Sequence, residues 1–98
     1  MLFNIKVRHE AEKDLQEAFE YYQSCRAGLG QEFMLCVEAA LNSIQRNPSQ
    51  YPQVYKSVSR NFIHRFPYGI YYLVKQDAVV VLAVLHVRRN PMHWQRRS

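Results

Sequence analysis

Three histidines and a group of arginines in the second half of a 98-residue chain are the side chains best suited to chemistry at a phosphate. Cutting RNA without a metal needs a base for the 2′-hydroxyl proton, an acid for the leaving oxygen and cations for the phosphate. Histidine is the side chain whose ordinary titration range spans neutral pH, and His64, His86 and His93 stand among bases. Arg65, Arg88 and Arg89 are of the type that grips a phosphate with two parallel hydrogen bonds. Tyr68, Tyr71 and Tyr72 suit stacking on bases or proton donation. Composition and spacing allow this chemistry without demanding it. Tyr68, Ile70 and Tyr72 share one face of a strand, where aromatic residues more often pack a sheet. His86 ends an apolar strand and equally suits the edge of a core. The basic surroundings of His64 and His93 disfavour their charged forms. His9 reads as a helix-start residue, and Lys56 and Arg60 as single surface bases.

The elements that must position these groups are legible in the hydrophobic pattern. Phe3, Ile5 and Val7 alternate with Asn4 and Lys6, the period of a half-buried strand. From His9 the period becomes helical, with Ala11, Leu15, Ala18, Phe19 and Tyr22 on one stripe and the acids largely opposite. Gly28 and Gly30 break that helix. A second stripe, Phe33, Val37, Ala40, Leu41 and Ile44, stops at Asn47-Pro48. The short connection makes the two helices an antiparallel hairpin. Gln53 to Ser59 and Asn61 to Phe66 read as short strands. Tyr68 to Lys75 and Val79 to Val87 are β-branched and aromatic, joined by a tight turn at Gln76-Asp77. The last of these is apolar on both faces, with Val79, Val81, Ala83 and Leu85 on one and Val80, Leu82 and Val84 on the other. It therefore belongs inside the sheet. Asn90-Pro91 reads as the cap and first residue of a short C-terminal helix. The expected architecture is α+β, in the order β-α-α-β-β-β: a helical hairpin on one face of a small, mostly antiparallel sheet. Residues 1–98 are expected to form a single domain.

Charge and composition narrow the function. Hydrophobic residues make up 48% of the chain, which excludes a disordered tail. The net charge of +5 is unevenly spread. Residues 1–55 carry five Lys or Arg against seven acids, whereas residues 56–98 carry eight against Asp77 alone. A basic half of that kind favours a polyanion or an acidic protein partner. The three glycines form no phosphate loop, and no Cys/His spacing suggests a metal site, so no metal or cofactor is expected. Cys25 and Cys36 fall at unequal distances from the helical turn, which disfavours a bridge between them. The first ten residues hold no continuous apolar stretch of signal-peptide type, and no run is long enough to span a membrane. Free thiols without a leader point to the cytoplasm.

Four segments in order carry a family resemblance: VRHEAEKDLQEAFEYY, RFPYGIYYLV, VVVLAVLHVRR and RRNPMHW. Together they resemble the ParE/RelE superfamily of toxins from bacterial type II toxin–antitoxin modules, closer to ParE, the toxin of plasmid stabilisation systems. The most specific signals are Phe66-Pro67-Tyr68 before an aliphatic strand and His86-x-Arg88-Arg89 at the end of the last one. The resemblance implies one of two activities. RelE-type members are ribosome-dependent mRNA endoribonucleases; ParE-type members poison DNA gyrase. Arg88 stands where RelE-type enzymes end the last strand with an arginine. The arginine they carry after the tyrosine of the preceding strand is here Gly69, and their later tyrosine is here Trp94, whose indole N–H cannot serve as acid or base. Their paired lysines are missing from Asn61-Phe62-Ile63-His64. The resemblance thus favours a non-enzymatic gyrase poison, with Arg65, Arg88, Arg89, Trp94, Arg96 and Arg97 as the target-binding set. The alternative is a nuclease built from His86, Arg88, Arg65 and His64 that acts on ribosome-bound mRNA. Either implies a cognate, ParD-like or other antitoxin held in a hetero-oligomeric complex.

Overall fold

The computed structural model describes residues 2–89 and Gln95. The expected C-terminal helix, with His93, Trp94, Arg96 and Arg97, lies outside the described residues. Eight elements follow one another: β1 (Asn4–Val7), α1 (His9–Cys25), α2 (Leu29–Arg46), a 3-10 turn (Pro48–Gln50), β2 (Gln53–Tyr55), β3 (Val58–Phe62), β4 (Tyr68–Lys75) and β5 (Ala78–His86). The five strands form one sheet in the order β1-β5-β4-β3-β2. β1 runs parallel to β5, from Asn4 opposite Ala78 to Val7 opposite Val81; the other pairs are antiparallel. The helical hairpin packs on one face of this mixed sheet, an α+β fold.

The helices form where the apolar stripes fall and stop where the backbone must turn. Ala11 and Ala18 of α1 and Phe33, Val37, Ala40 and Ile44 of α2 are buried against the sheet. Gly28 sits between the helices at φ 91°, a conformation that costs glycine little and other residues more. Gly30 has a different reason to be small. A methyl group there would lie 2.8 Å from the Phe19 ring and the Gln23 side chain, so its absence lets α2 start hard against α1. Gln23 uses that proximity to accept a hydrogen bond from the Gly30 amide at 3.0 Å.

The sheet corrects the expected strand boundaries first. The stretch Gln53–Ser59 is not one strand: it turns at Lys56, where φ is +51°, and becomes the hairpin of β2 and β3. β3 then ends at Phe62, short of the expected Phe66, because Ile63 and Phe66 leave the ladder to fill the core beneath the helices. Four strands follow the helices, as many as the four segments read from the sequence, so the order is β-α-α-β-β-β-β, one strand more than the shorthand β-α-α-β-β-β.

The second correction lies inside β5. Tyr71 faces Ala83 and Tyr72 faces Val81, which leaves Leu82 as an extra residue, a β-bulge. The alternation changes phase at that point. Val79, Val81 and Val84 face the helices, whereas Val80, Leu82, Ala83 and Leu85 pack in a second apolar cluster on the opposite face with Val58 and Tyr71. Ala83 and Leu85 thus do not share a face with Val79 and Val81. The same phase change carries His86 round to the helix side, opposite Tyr68.

Candidate functional site

The basic groups gather at the end of the sheet where β4 begins and β5 finishes. The loop of residues 63–67 is tied there by short main-chain bonds. Ile63 donates to the Tyr68 carbonyl, Tyr68 to Phe66, and Val87 to Pro67, at 2.8 to 2.9 Å. These bonds tie the loop that carries His64 and Arg65 to Val87, just after β5. Strand pairing alone would not do this, because the loop has left the ladder.

Arg65 is held in the left-handed region at φ 73° and its side chain turns back toward α2. Its guanidinium donates to Glu32 Oε1 at 3.0 Å, while Arg26 donates to Oε2 of the same carboxylate, also at 3.0 Å. The hydrogen bond from Arg65, followed by that from Arg26, holds the Glu32 carboxyl below the usual carboxylate range. One acid at the start of α2 thus clips the inter-helix turn to the β3–β4 loop.

His86 makes two contacts that fix its role. Its ring meets Tyr68 edge-on, centroids 5.4 Å apart. Its Nδ1 accepts the Arg88 amide N–H at 3.1 Å, so the neutral ring carries its proton on Nε2. Arg89 in turn donates its amide to the His86 carbonyl at 2.9 Å. The turn that carries Arg88 and Arg89 is wrapped on the histidine it follows, and both arginines are exposed.

Beside this turn lies a cavity of about 230 Å³ lined by Asp14, Glu17, Tyr21, Tyr68, His86 and Arg89. It exists because β1 ends at Val7 and leaves the later part of β5 as an edge, against which α1 settles. Asp14 fills the place of a missing neighbour strand by accepting the Val84 amide at 3.1 Å. Burial raises the Tyr68 phenol above its ordinary value; Tyr21 adds to this, Arg89 opposes it, and Glu17 and Asp14 push the same way as burial. Tyr68 is accordingly a neutral phenol at physiological pH. Its ring belongs to an aromatic stack with Tyr22, Phe33 and Phe66, at centroid distances of 4.9 to 6.0 Å.

The nuclease set His86, Arg88, Arg65 and His64 is divided between the β3–β4 loop and the end of β5. Arg65 pairs with Glu32 of α2 and His86 meets Tyr68 of β4, while His64 and Arg88 stand exposed. Of the target-binding set, Arg65 is paired with Glu32, and Arg88 and Arg89 are exposed on the turn after β5; Trp94, Arg96 and Arg97 lie outside the described residues. Glu32 and Asp14 escaped the sequence reading. Each looks like one more acid on a solvated helix face, and only a tertiary neighbour reveals its part. Cys25 and Cys36 are free thiols. Among the described residues no three His, Cys, Asp or Glu are placed to hold a metal ion, and no helix is long and apolar enough to cross a membrane.

Residues 5–91 match the family model of the ParE toxin of the type II toxin–antitoxin system parDE. The chain belongs to the ParE toxin family. It is a toxin of the type II toxin–antitoxin class. Toxin ParE2 of Mycobacterium tuberculosis H37Rv is 28% identical over 92 residues, which cover 93% of this chain and 88% of the relative. Among solved structures, a chain of the chromosomal ParDE system from P. aeruginosa superposes with a TM-score of 0.77 at 16% identity, covering 87% of this chain and 96% of its own. A chain of the toxin–antitoxin complex RelBE2 from Mycobacterium tuberculosis gives 0.63 at 17% identity, covering 88% and 99%. At such identities the two superpositions speak for the fold. They place the five-strand sheet and its helical hairpin in the architecture common to ParE and RelE toxins.

Proposed function

We propose that this ParE-family toxin, a single domain in the cytoplasm, is a DNA gyrase poison neutralised by a cognate antitoxin. One observation carries the reading against an RNA-cutting enzyme: two of the four groups a nuclease would use at the basic end of the sheet are engaged elsewhere, and a third position is empty. His86 Nδ1 already accepts a main-chain N–H, Arg65 is paired with Glu32, and Gly69 offers no side chain. A poison needs no such chemistry. It acts by binding the cleaved gyrase–DNA state more tightly than the resealed one, which shifts the equilibrium toward broken DNA. Arg88 and Arg89, exposed on a turn fixed by His86, are the anchors for that contact, with Trp94, Arg96 and Arg97 following in the chain. Arginine and tryptophan are the types most often found as hot spots.

The antitoxin reading draws support from the solved relatives, one from a ParDE system and the other from a toxin–antitoxin complex. Two surfaces suit such a partner. The basic half attracts an acidic segment. A groove of about 310 Å³ between α1 and α2, lined by Leu15, Phe19 and Met34 with Glu12 and Gln16 at its rim, suits the apolar face of a helix. Leu35 and Tyr21, each about 60% exposed, lie on the same helices.

The competing reading is a ribosome-dependent mRNA endonuclease, favoured by the exposed Arg88 at the strand end. Induced expression in a sensitive bacterium separates the two. The poison produces a DNA-damage response with intact mRNA, and purified toxin accumulates cleaved DNA with gyrase. Rapid mRNA cutting with undamaged DNA would overturn the proposal.

A further inference from the structure

β5 ends on a titratable side chain whose hydrogen bond shapes the exposed turn that follows. His86 Nδ1 accepts the Arg88 amide N–H at 3.1 Å, two residues on. An asparagine side-chain oxygen takes this place in an Asx turn. An imidazole differs from that amide in one respect: its acceptor lone pair can take up a proton between about pH 8 and pH 5. Once Nδ1 carries a proton it is a donor facing the Arg88 N–H, also a donor, and the bond is lost.

The charge that arrives with the proton meets groups from each neighbouring element. Across the cavity α1 presents the carboxylates of Asp14 and Glu17, which favour a cation, and the phenol of Tyr21. β4 contributes Tyr68, a neutral phenol whose ring stands edge-on to His86 at 5.4 Å. Arg89 lines the same cavity and opposes the charge, as does Arg88, exposed two residues on. Two further bonds at this place join main-chain groups alone: Val87 donates to the Pro67 carbonyl and Arg89 to the His86 carbonyl, both at 2.9 Å. The base of the turn is therefore held without the imidazole, and the Arg88 amide is the group that depends on it. We propose that His86 is a proton-operated latch. Neutral, it closes the turn that presents Arg88; protonated in mild acid, it releases the Arg88 amide and loosens that presentation. The latch belongs to the end of β5 and holds whichever target the toxin attacks.

Nitrogen-15 NMR of the full chain from about pH 8 to about pH 5 reads both partners of the bond. The His86 ring nitrogens and the Arg88 amide should titrate with one midpoint. The protection of Arg88 against hydrogen exchange, taken relative to the free rate at each pH, should fall about fivefold, the worth of one ordinary hydrogen bond. The Val87 amide should keep its protection throughout. His86→Asn retains an acceptor that does not titrate and should hold Arg88 protected across the range. His86→Phe keeps a ring without an acceptor and should leave Arg88 as open to exchange at every pH as the protonated wild type. An Arg88 amide that stays unmoved while His86 titrates would overturn the latch from the wild type alone, whether or not either variant folds. A pH response retained in His86→Asn, or wild-type protection in His86→Phe, would overturn it as well.

Discussion

Glu32 shows how much one side chain governs at this end of the molecule. Its carboxylate receives Arg65 and Arg26 together, and their hydrogen bonds depress its pKa. A carboxyl depressed by folding contributes stability that is fully present above its unfolded pKa and is lost as pH falls through the folded one. Glu32→Gln should therefore melt at a lower temperature than the parent at neutral pH, with the gap closing below about pH 4. Thermal melts across that range check the sign. A constant gap would mean that the contribution of Glu32 is not ionic. The residue scale is also where the sequence was least informative. Glu32 was one of seven acids in the first half, and nothing local marks it as the partner of an arginine 33 positions later. His86 was legible as a candidate group, yet the engagement of its Nδ1 by the Arg88 amide depends on a turn that no spacing announces.

At the scale of elements the periodic segments were readable and the irregular ones were not. Both helices declared themselves because polar residues interrupt their apolar stripes at a period of 3.6. β5 carries no such interruption. Every residue from Ala78 to Leu85 is apolar, so a change of phase leaves no trace in the sequence, and the bulge at Leu82 was invisible. The break at Lys56 lacks the glycine or asparagine that usually marks a left-handed turn. The edge that follows the bulge depends on a side chain borrowed from α1. Asp14→Ala removes the acceptor of the Val84 amide and should cost about 1–3 kcal/mol, the range for a polar group left unpaired. Asp14→Asn keeps an acceptor oxygen and should cost less. Denaturant melts rank the two, and faster amide exchange at Val84 in the alanine variant places the effect. Equal stabilities would show that solvent serves Val84 as well as Asp14 does.

For the whole molecule, the helix-facing core is unusually rich in phenols. Tyr22, Tyr68 and Tyr72 all have pKa values raised first by burial, and Tyr72 also donates its hydroxyl to the Pro48 carbonyl. A group whose pKa is raised by folding lends stability that holds below its unfolded value and disappears as pH climbs through the folded one. Unfolding in alkali should therefore begin above about pH 10, with these three tyrosines ionising as the chain opens. Tyrosinate absorbance followed beside circular dichroism tests this. Ionisation of all seven tyrosines before any loss of structure would contradict it. Whole-molecule legibility was high for the layer arrangement, because the change from helical to strand periodicity falls cleanly between the halves. The face opposite the helices was not legible: its apolar cluster of Val58, Tyr71, Leu82, Ala83 and Leu85 becomes visible only after the bulge has sorted β5.

The parallel pairing of β1 with β5 also sets a timetable. Among the described strands β1 comes first along the chain, and it pairs with the last of them, β5. Until Ala78–Val81 has left the ribosome, Ile5 and Val7 have no ladder to join, although both helices are already complete. Contacts between such distant segments pass through a late and slow closure. A chain in that state has its helical hairpin formed and its sheet unfinished, so the apolar stripe of the hairpin waits for β5 before it is covered along β1.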